Sequence, residues 1–378
     1  MKFLSAALIL LPGLFAQASS ITHDDIVSKT AEGLRLLRFE DSAEPVWVTG
    51  EEKLEILRTH QHFLDVTEVW ERKQSLPKSR AAEVDNDNDY PAPSHQKEVK
   101  ALIETLSISN MQSNLDKLTS FNNRFFNLSD TGKEASQFVL DTVSAIAEGH
   151  ENVTAKAFQH SWTQFSVIAK IAGSQADSPL TILGGHLDSI NANRNPNLLR
   201  APGADDNGSG AVNIIEIFRA LVDGGFSPST PVEFHWYSGE EPGNLGSQDI
   251  ATTYKSDDVD VKGYMNFDMT AYVKPGTEEV VSLHTDFVDE GLNTFVGQLV
   301  DEHSRLSWVP DECGYACSDH ASWYEEGYPT TFPAEAPTVD ENPFIHSEND
   351  TIDVDGFSWE HSLEFAKIGL AFVYELAI

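Results

Sequence analysis

From residue 160 onward the chain alternates two hydrophobic rhythms. Short, nearly continuous apolar runs predict strands over "QFSVIAKIAG" (164–173), "PLTILGGHLDS" (179–189), "PVEFHWYSG" (231–239), "VKGYMNFDM" (261–269) and "EVVSLHTD" (279–286). Elsewhere apolar residues return every three or four positions, which predicts helices over "GAVNIIEIFRALVDGG" (210–225), "FVDEGLNTFVGQLVDEHS" (287–304) and "WEHSLEFAKIGLAFVYEL" (359–376). Strands that are apolar along their length are buried on both faces. Interleaved with helices, they predict an α/β fold: a three-layer α/β/α sandwich around a central, mostly parallel mixed sheet, in a single domain. In such folds a site gathers beyond the carboxyl ends of the strands.

The rhythm is different near the amino terminus. Residues 1–20 read "MKFLSAALILLPGLFAQASS", a lysine, an apolar run too short to span a bilayer, and a small-residue pattern. This predicts a signal peptide over 1–18, and hence a secreted, extracellular protein with no membrane segment. Amphipathic helical pieces follow, such as "EEKLEILRTHQHFLDV" (51–66). Then "LPKSRAAEVDNDNDYPAPS" (76–94) combines a basic cluster, an Asp/Asn alternation and prolines, a composition that cannot bury a core. An exposed basic linker in an exported chain is a processing site, so 19–88 reads as a propeptide and 89–378 as the catalytic domain. The competing reading is a small accessory domain on a linker.

Charge excludes some partners. The formal net charge is −35, divided as −6 over residues 1–89 and −29 over residues 90–378. Such a surface repels nucleic acid and anionic membranes. The two cysteines, Cys313 and Cys317 in "CGYAC", predict a short disulfide in an oxidising compartment. Asn127, Asn152 and Asn349 head glycosylation sequons, and Asn207 heads a fourth whose surroundings argue for burial.

Those surroundings carry the chemistry. Acids and histidines follow each predicted central strand: His186 and Asp188 after "PLTILGG", Asp205 and Asp206 in "APGADDNGSG", Glu240 and Glu241 after "PVEFHWYSG", and Asp268 after "VKGYMNF". His346 stands in the late loop "PFIHSENDT". No lysine or arginine occurs in 183–188, 201–210, 238–244, 265–270 or 343–350. Carboxylates at strand ends are costly unless something positive meets them, so acids and imidazoles without a basic counter-ion read as a metal site, with zinc favoured. Other histidines, such as His160, His235 and His303, read as packed or solvated.

Taken together, "GGHLDS", "PGADDNGSG", "SGEEPGNLGS", "NFDMT", "CGYACSDHASW" and "FIHSENDT" closely resemble the secreted leucine aminopeptidases of filamentous fungi. More distantly they resemble bacterial secreted aminopeptidases with two co-catalytic zinc ions. The resemblance covers the region after residue 89 almost end to end. It implies two Zn2+ per chain, with Asp206 bridging, His186 and Asp268 completing one ion, and Glu241 and His346 the other. It also implies that Asp188 orients His186, that Glu240 is the catalytic acid/base, and that the peptide bond from Asp206 to Asn207 is cis. The substrates implied are peptides and proteins with a free N-terminal amine, handled by a monomeric enzyme. A preference for leucine-like residues needs an apolar pocket, for which Met269 and Tyr315 are candidates. The rival within the same architecture is a glutaminyl cyclase-like enzyme with one zinc.

Overall fold

The computed structural model describes residues 21–39, 44–58, 63–75, 90–193 and 195–378. The expected signal peptide and the expected processing junction at residue 88 lie outside the described residues.

The N-terminal part is less helical than its amphipathic pattern suggests. Helices α1 (His23–Ala31), α2 (Gly50–Arg58) and α3 (Trp70–Ser75) accompany strands β1 (Leu34–Arg38), β2 (Val46–Thr49) and β3 (Leu64–Asp65). The strands form an antiparallel sheet of order β2-β1-β3. Of the stretch 51–66 expected to be helical, the residues up to Arg58 lie in α2, while "LD" (64–65) belongs to a strand. Leu36, Leu64, Val66 and Val69 form a small apolar cluster there, so these side chains are buried by sheet pairing rather than on one helical face.

Helices α4 (Gln96–Ile103), α5 (Ile108–Ser120) and α6 (Asp130–Ala147) then precede the central sheet. Its strands are β4 (Val153–Phe158), β5 (Ser166–Ile171), β6 (Leu180–His186), β7 (Val232–Tyr237), β8 (Val261–Asn266) and the short β11 (Thr330–Thr331). Their spatial order is β11-β8-β6-β7-β5-β4. The four strands from β11 to β7 are parallel, while β5 and β4 are antiparallel. This is the mixed, mostly parallel sheet expected. The run at 279–286 forms a strand too, β9 (Val280–His284), but it pairs with β10 (Ser307–Asp311) and β12 (Pro333–Ala334) in a separate sheet.

Alternation along the strands supplies two apolar faces. Val167, Leu183 and Trp236 join the large core beneath α5, α6, α7 (Gly210–Asp223), α9 (Glu290–His303) and α11 (Trp359–Ala377). Ile168, Ile182 and Tyr237 face the other side, beneath α8 (Leu245–Ser256) and α10 (His320–Glu325). Burying each such side chain contributes roughly 1.5–3 kcal/mol, which holds the layers together and sets the strand register. In that register His186 lies level with Tyr237, and Gly184 with Asn266. The carboxyl ends of β6, β7 and β8 thus open on one place.

Candidate metal centre

His186 is the last residue of β6 and Asp268 lies two residues past the end of β8. They approach because residue 185 is glycine: a Cβ there would stand 2.0 Å from the carbonyl oxygen of Phe267. His186 Nε2 is 3.1 Å from Asp268 Oδ1 and 3.2 Å from Asp206 Oδ1. The other oxygen of Asp206 lies 3.2 Å from His346 Nε2, which is 3.1 Å from Glu241 Oε2. Two triads result, His186/Asp206/Asp268 and Asp206/Glu241/His346, and Asp206 is common to both. Donor separations near 3.2 Å match ligands of one ion with bonds of ~2.0–2.1 Å.

The surrounding bonds aim these donors. Asp188 Oδ1 lies 3.5 Å from His186 Nδ1 and accepts the Glu240 backbone N–H at 2.9 Å. Glu241 Oε1 accepts the Ile190 N–H at 3.1 Å, which turns its other oxygen toward His346. Ser318 Oγ donates to Asp268 Oδ2 at 2.6 Å. Asp350 accepts the backbone N–H groups of Asp205 and Asp206 at 3.1 and 3.0 Å. Asn207 is fully buried, follows a cis peptide bond, and donates to the Phe267 carbonyl at 2.7 Å while accepting the Gly210 N–H at 3.0 Å. Its sequon is therefore inaccessible. Asn152 and Asn349 are exposed and Asn127 is half-buried.

A basic residue does reach this region, from far away in the sequence. Arg124 is fully buried, and its guanidinium donates to the carbonyls of Leu187, Pro202 and Gly203, the last at 2.9 Å. It ties the loop after β6 to the loop that enters α7. Gly203 has φ +54°, and a Cβ there would meet the Arg124 guanidinium at 2.7 Å. Neither Arg124 nor Asp350 was foreseen. The signal for Asp350 was its place four residues after His346, whereas "NNRFFN" around Arg124 carries none.

The electrostatics call for cations. Burial and then Asp206 push the Glu241 carboxyl up to about 7. Burial pushes Glu240 well above the carboxylate range, with Asp268, Asp319 and Glu241 adding to it against His186. Burial opposes charge on His186 and His346, yet the surrounding carboxylates hold both imidazoles well above their ordinary range. His346 Nδ1 and Asp188 Oδ2 are also buried without hydrogen-bond partners among the described residues. The donor set of three carboxylates and two imidazoles fits divalent metal.

The cluster forms one wall of a cavity of about 420 Å³. Met269, Tyr315 and the bonded pair Cys313–Cys317 line it, as do Phe332, Ile345 and Glu341. Leu57 and Phe63 of the N-terminal part line it as well. Three further histidines singled out in the sequence lie elsewhere. His160 stacks on Trp162 and pairs with Asp249, His235 is buried beside Glu233 and Tyr237, and His303 ends α9.

The sequence profile of Peptidase family M28 matches residues 166–373. Leucine aminopeptidase 1 of Fusarium vanettenii is 41% identical over 393 residues, spanning 100% of this chain and 96% of its own. The crystal structure of the LapA aminopeptidase of Legionella pneumophila superposes with a TM-score of 0.79 at 26% identity, covering 91% of this chain and 98% of that one. Porphyromonas gingivalis glutaminyl cyclase has a TM-score of 0.59 at 15% identity over 72% of this chain and 99% of its own, a likeness of fold alone.

Proposed function

This chain belongs to peptidase family M28, and from that premise we propose that it is an extracellular zinc aminopeptidase releasing N-terminal leucine and other apolar residues from peptides and proteins. The observation that carries the two-ion reading is Asp206, whose two oxygens address two different histidines, each with its own further carboxylate. His186, Asp206 and Asp268 would hold one zinc, and Asp206, Glu241 and His346 the other. When bound, the pair supplies Lewis acidity toward the scissile carbonyl and the attacking water.

The chain's own residues do the rest. Glu240 takes a proton from the attacking water and returns it to the departing amine. Its backbone N–H is held by the Asp188 carboxylate, and the same residue meets His186 Nδ1 with its backbone carbonyl at 3.2 Å and its carboxylate at 3.5 Å, so the base and a ligand share one support. Met269, Phe332 and Ile345 give the cavity its apolar wall.

Residues 19–88 would act as a propeptide. In support, Leu57 and Phe63 line the cavity, and the Asp65 N–H donates to the Gly243 carbonyl at 3.2 Å, two residues past Glu241. Arg72 and Lys73 pair with Asp249 and Glu325 of the larger part, each at 2.6 Å.

Hydrolysis of leucine-, arginine- and proline-led chromogenic amides, with metal counted per chain, tests the reading. Leucyl amide should be cleaved with two zinc ions bound, lost on chelation and regained with zinc. A stoichiometry near one, with cyclisation of N-terminal glutamine in place of hydrolysis, would replace it with the cyclase reading.

A further inference from the structure

The cavity's acids divide by task, and one has none. Asp206, Glu241 and Asp268 belong to the two triads, and Glu240 stands beside them. Glu335 accepts the backbone N–H groups of Ala271 and Tyr272 at 3.0 and 2.6 Å. Glu341 also lines the cavity, yet among the described residues its carboxylate accepts no hydrogen bond and meets no cation. Its neighbour Thr338 has its hydroxyl on Asp311 at 2.9 Å and is not available to it.

A half-buried carboxylate in acidic company, without a partner, is costly. Close by, Met269, Tyr315, Phe332 and Ile345 offer apolar surface. A carboxylate at the edge of an apolar wall matches a side chain with an aliphatic stem and a charged head, as lysine and arginine have.

Resting on the aminopeptidase reading above, we propose that Glu341 is a specificity residue that receives the cationic head of an N-terminal lysine or arginine, so that the cavity admits long basic residues as well as apolar ones. The stem lies on the apolar wall and the head meets the carboxylate. Leucine uses the wall alone.

The test compares leucyl, norleucyl, lysyl and arginyl chromogenic amides on zinc-loaded mature enzyme, wild type and Glu341→Gln. Norleucine supplies the lysine stem without its charge. Glu341→Gln should lower kcat/KM for the lysyl and arginyl amides about tenfold or more, the size of a charge-assisted hydrogen bond, and change the leucyl and norleucyl values less than about threefold. Equal losses on all four would assign Glu341 to the substrate's α-ammonium or to structure and overturn the proposal. So would unchanged lysyl and arginyl values. A second readout needs no variant: wild type should cleave the lysyl amide at least as well as the norleucyl one at low salt, with the ratio falling as salt rises. A ratio well below one overturns the proposal even if Glu341→Gln fails to fold. Leucyl cleavage with no basic preference rejects Glu341's role alone, whereas no cleavage of any amide rejects the aminopeptidase reading and the proposal with it.

Discussion

Glu240 and Glu241 are adjacent in the chain and face different partners. Glu241 Oε2 lies 3.1 Å from His346, while Glu240 Oε2 lies 3.9 Å from His186 and its backbone N–H is held by Asp188. Their substitutions should therefore fail differently. Glu240→Gln should leave a folded protein with both zinc ions and a rate lowered by at least ~100-fold, as for loss of a general base. Glu241→Gln should weaken the ion beside His346, because an amide is a poorer donor than a carboxylate, and added zinc should restore part of the rate. Asp268→Asn should weaken the ion beside His186 instead. Metal content measured beside peptidase rate distinguishes the three. Loss of zinc from Glu240→Gln, with both ions kept by Glu241→Gln, would reverse the assignment.

At the scale of elements, the site depends on how closely strand ends meet. Gly185 allows the end of β6 to lie against the Phe267 carbonyl, which no side chain could permit. Gly185→Ala must push the ends of β6 and β8 apart, where backbone rather than a flexible side chain would have to yield. It should cost about 2 kcal/mol or more of stability and lower zinc affinity at His186 and Asp268. Thermal unfolding of the metal-free and zinc-loaded protein measures both. An unchanged midpoint with full zinc occupancy would show that the contact is not limiting. The strands and helices of this layer were legible because their apolar residues are buried on regular faces. The three-stranded sheet over 34–65 was not, since four- and five-residue strands beside an amphipathic helix show too little of either period.

For the whole molecule, the proposed propeptide role rests on the contact between the N-terminal part and the cavity, which Leu57 and Phe63 help to line. The precursor should hydrolyse leucyl amide at least ~10-fold more slowly than residues 89–378 alone, because Leu57 and Phe63 occupy the cavity wall. Equal rates would refute that role. The docked segment turns on Asp65. Burial pushes its carboxyl up, but Lys53 and Arg35 outweigh that and hold it down at about 2, against an ordinary 3.8. A carboxylate depressed in the folded state stabilises it above the ordinary value, and that contribution is lost as pH falls through 3.8 toward 2, while burial holds its partner Lys53 down at about 8 and offsets part of the gain. Asp65→Asn should release the segment at neutral pH, raising precursor activity toward that of the mature enzyme. A precursor equally latent with Asp65→Asn would place the hold elsewhere.

What the sequence determined by itself was the α/β alternation and a cluster of acids and histidines at the strand ends, from which resemblance to a family singled out His186, Asp206, Glu241, Asp268 and His346, because strand periodicity records burial and acids without a basic counter-ion call for a cation. Only the tertiary structure decided the distances at which the donors meet around Asp206, that Arg124 ties the site's loops from 63 to 79 residues away, and that Glu341 faces the cavity with no partner among the described residues. The physical reason is that a charged residue reads alike in sequence whether water, a backbone carbonyl or a substrate will meet it. The crossover connections that choose among these bring together residues far apart in the chain, and local pattern cannot encode that.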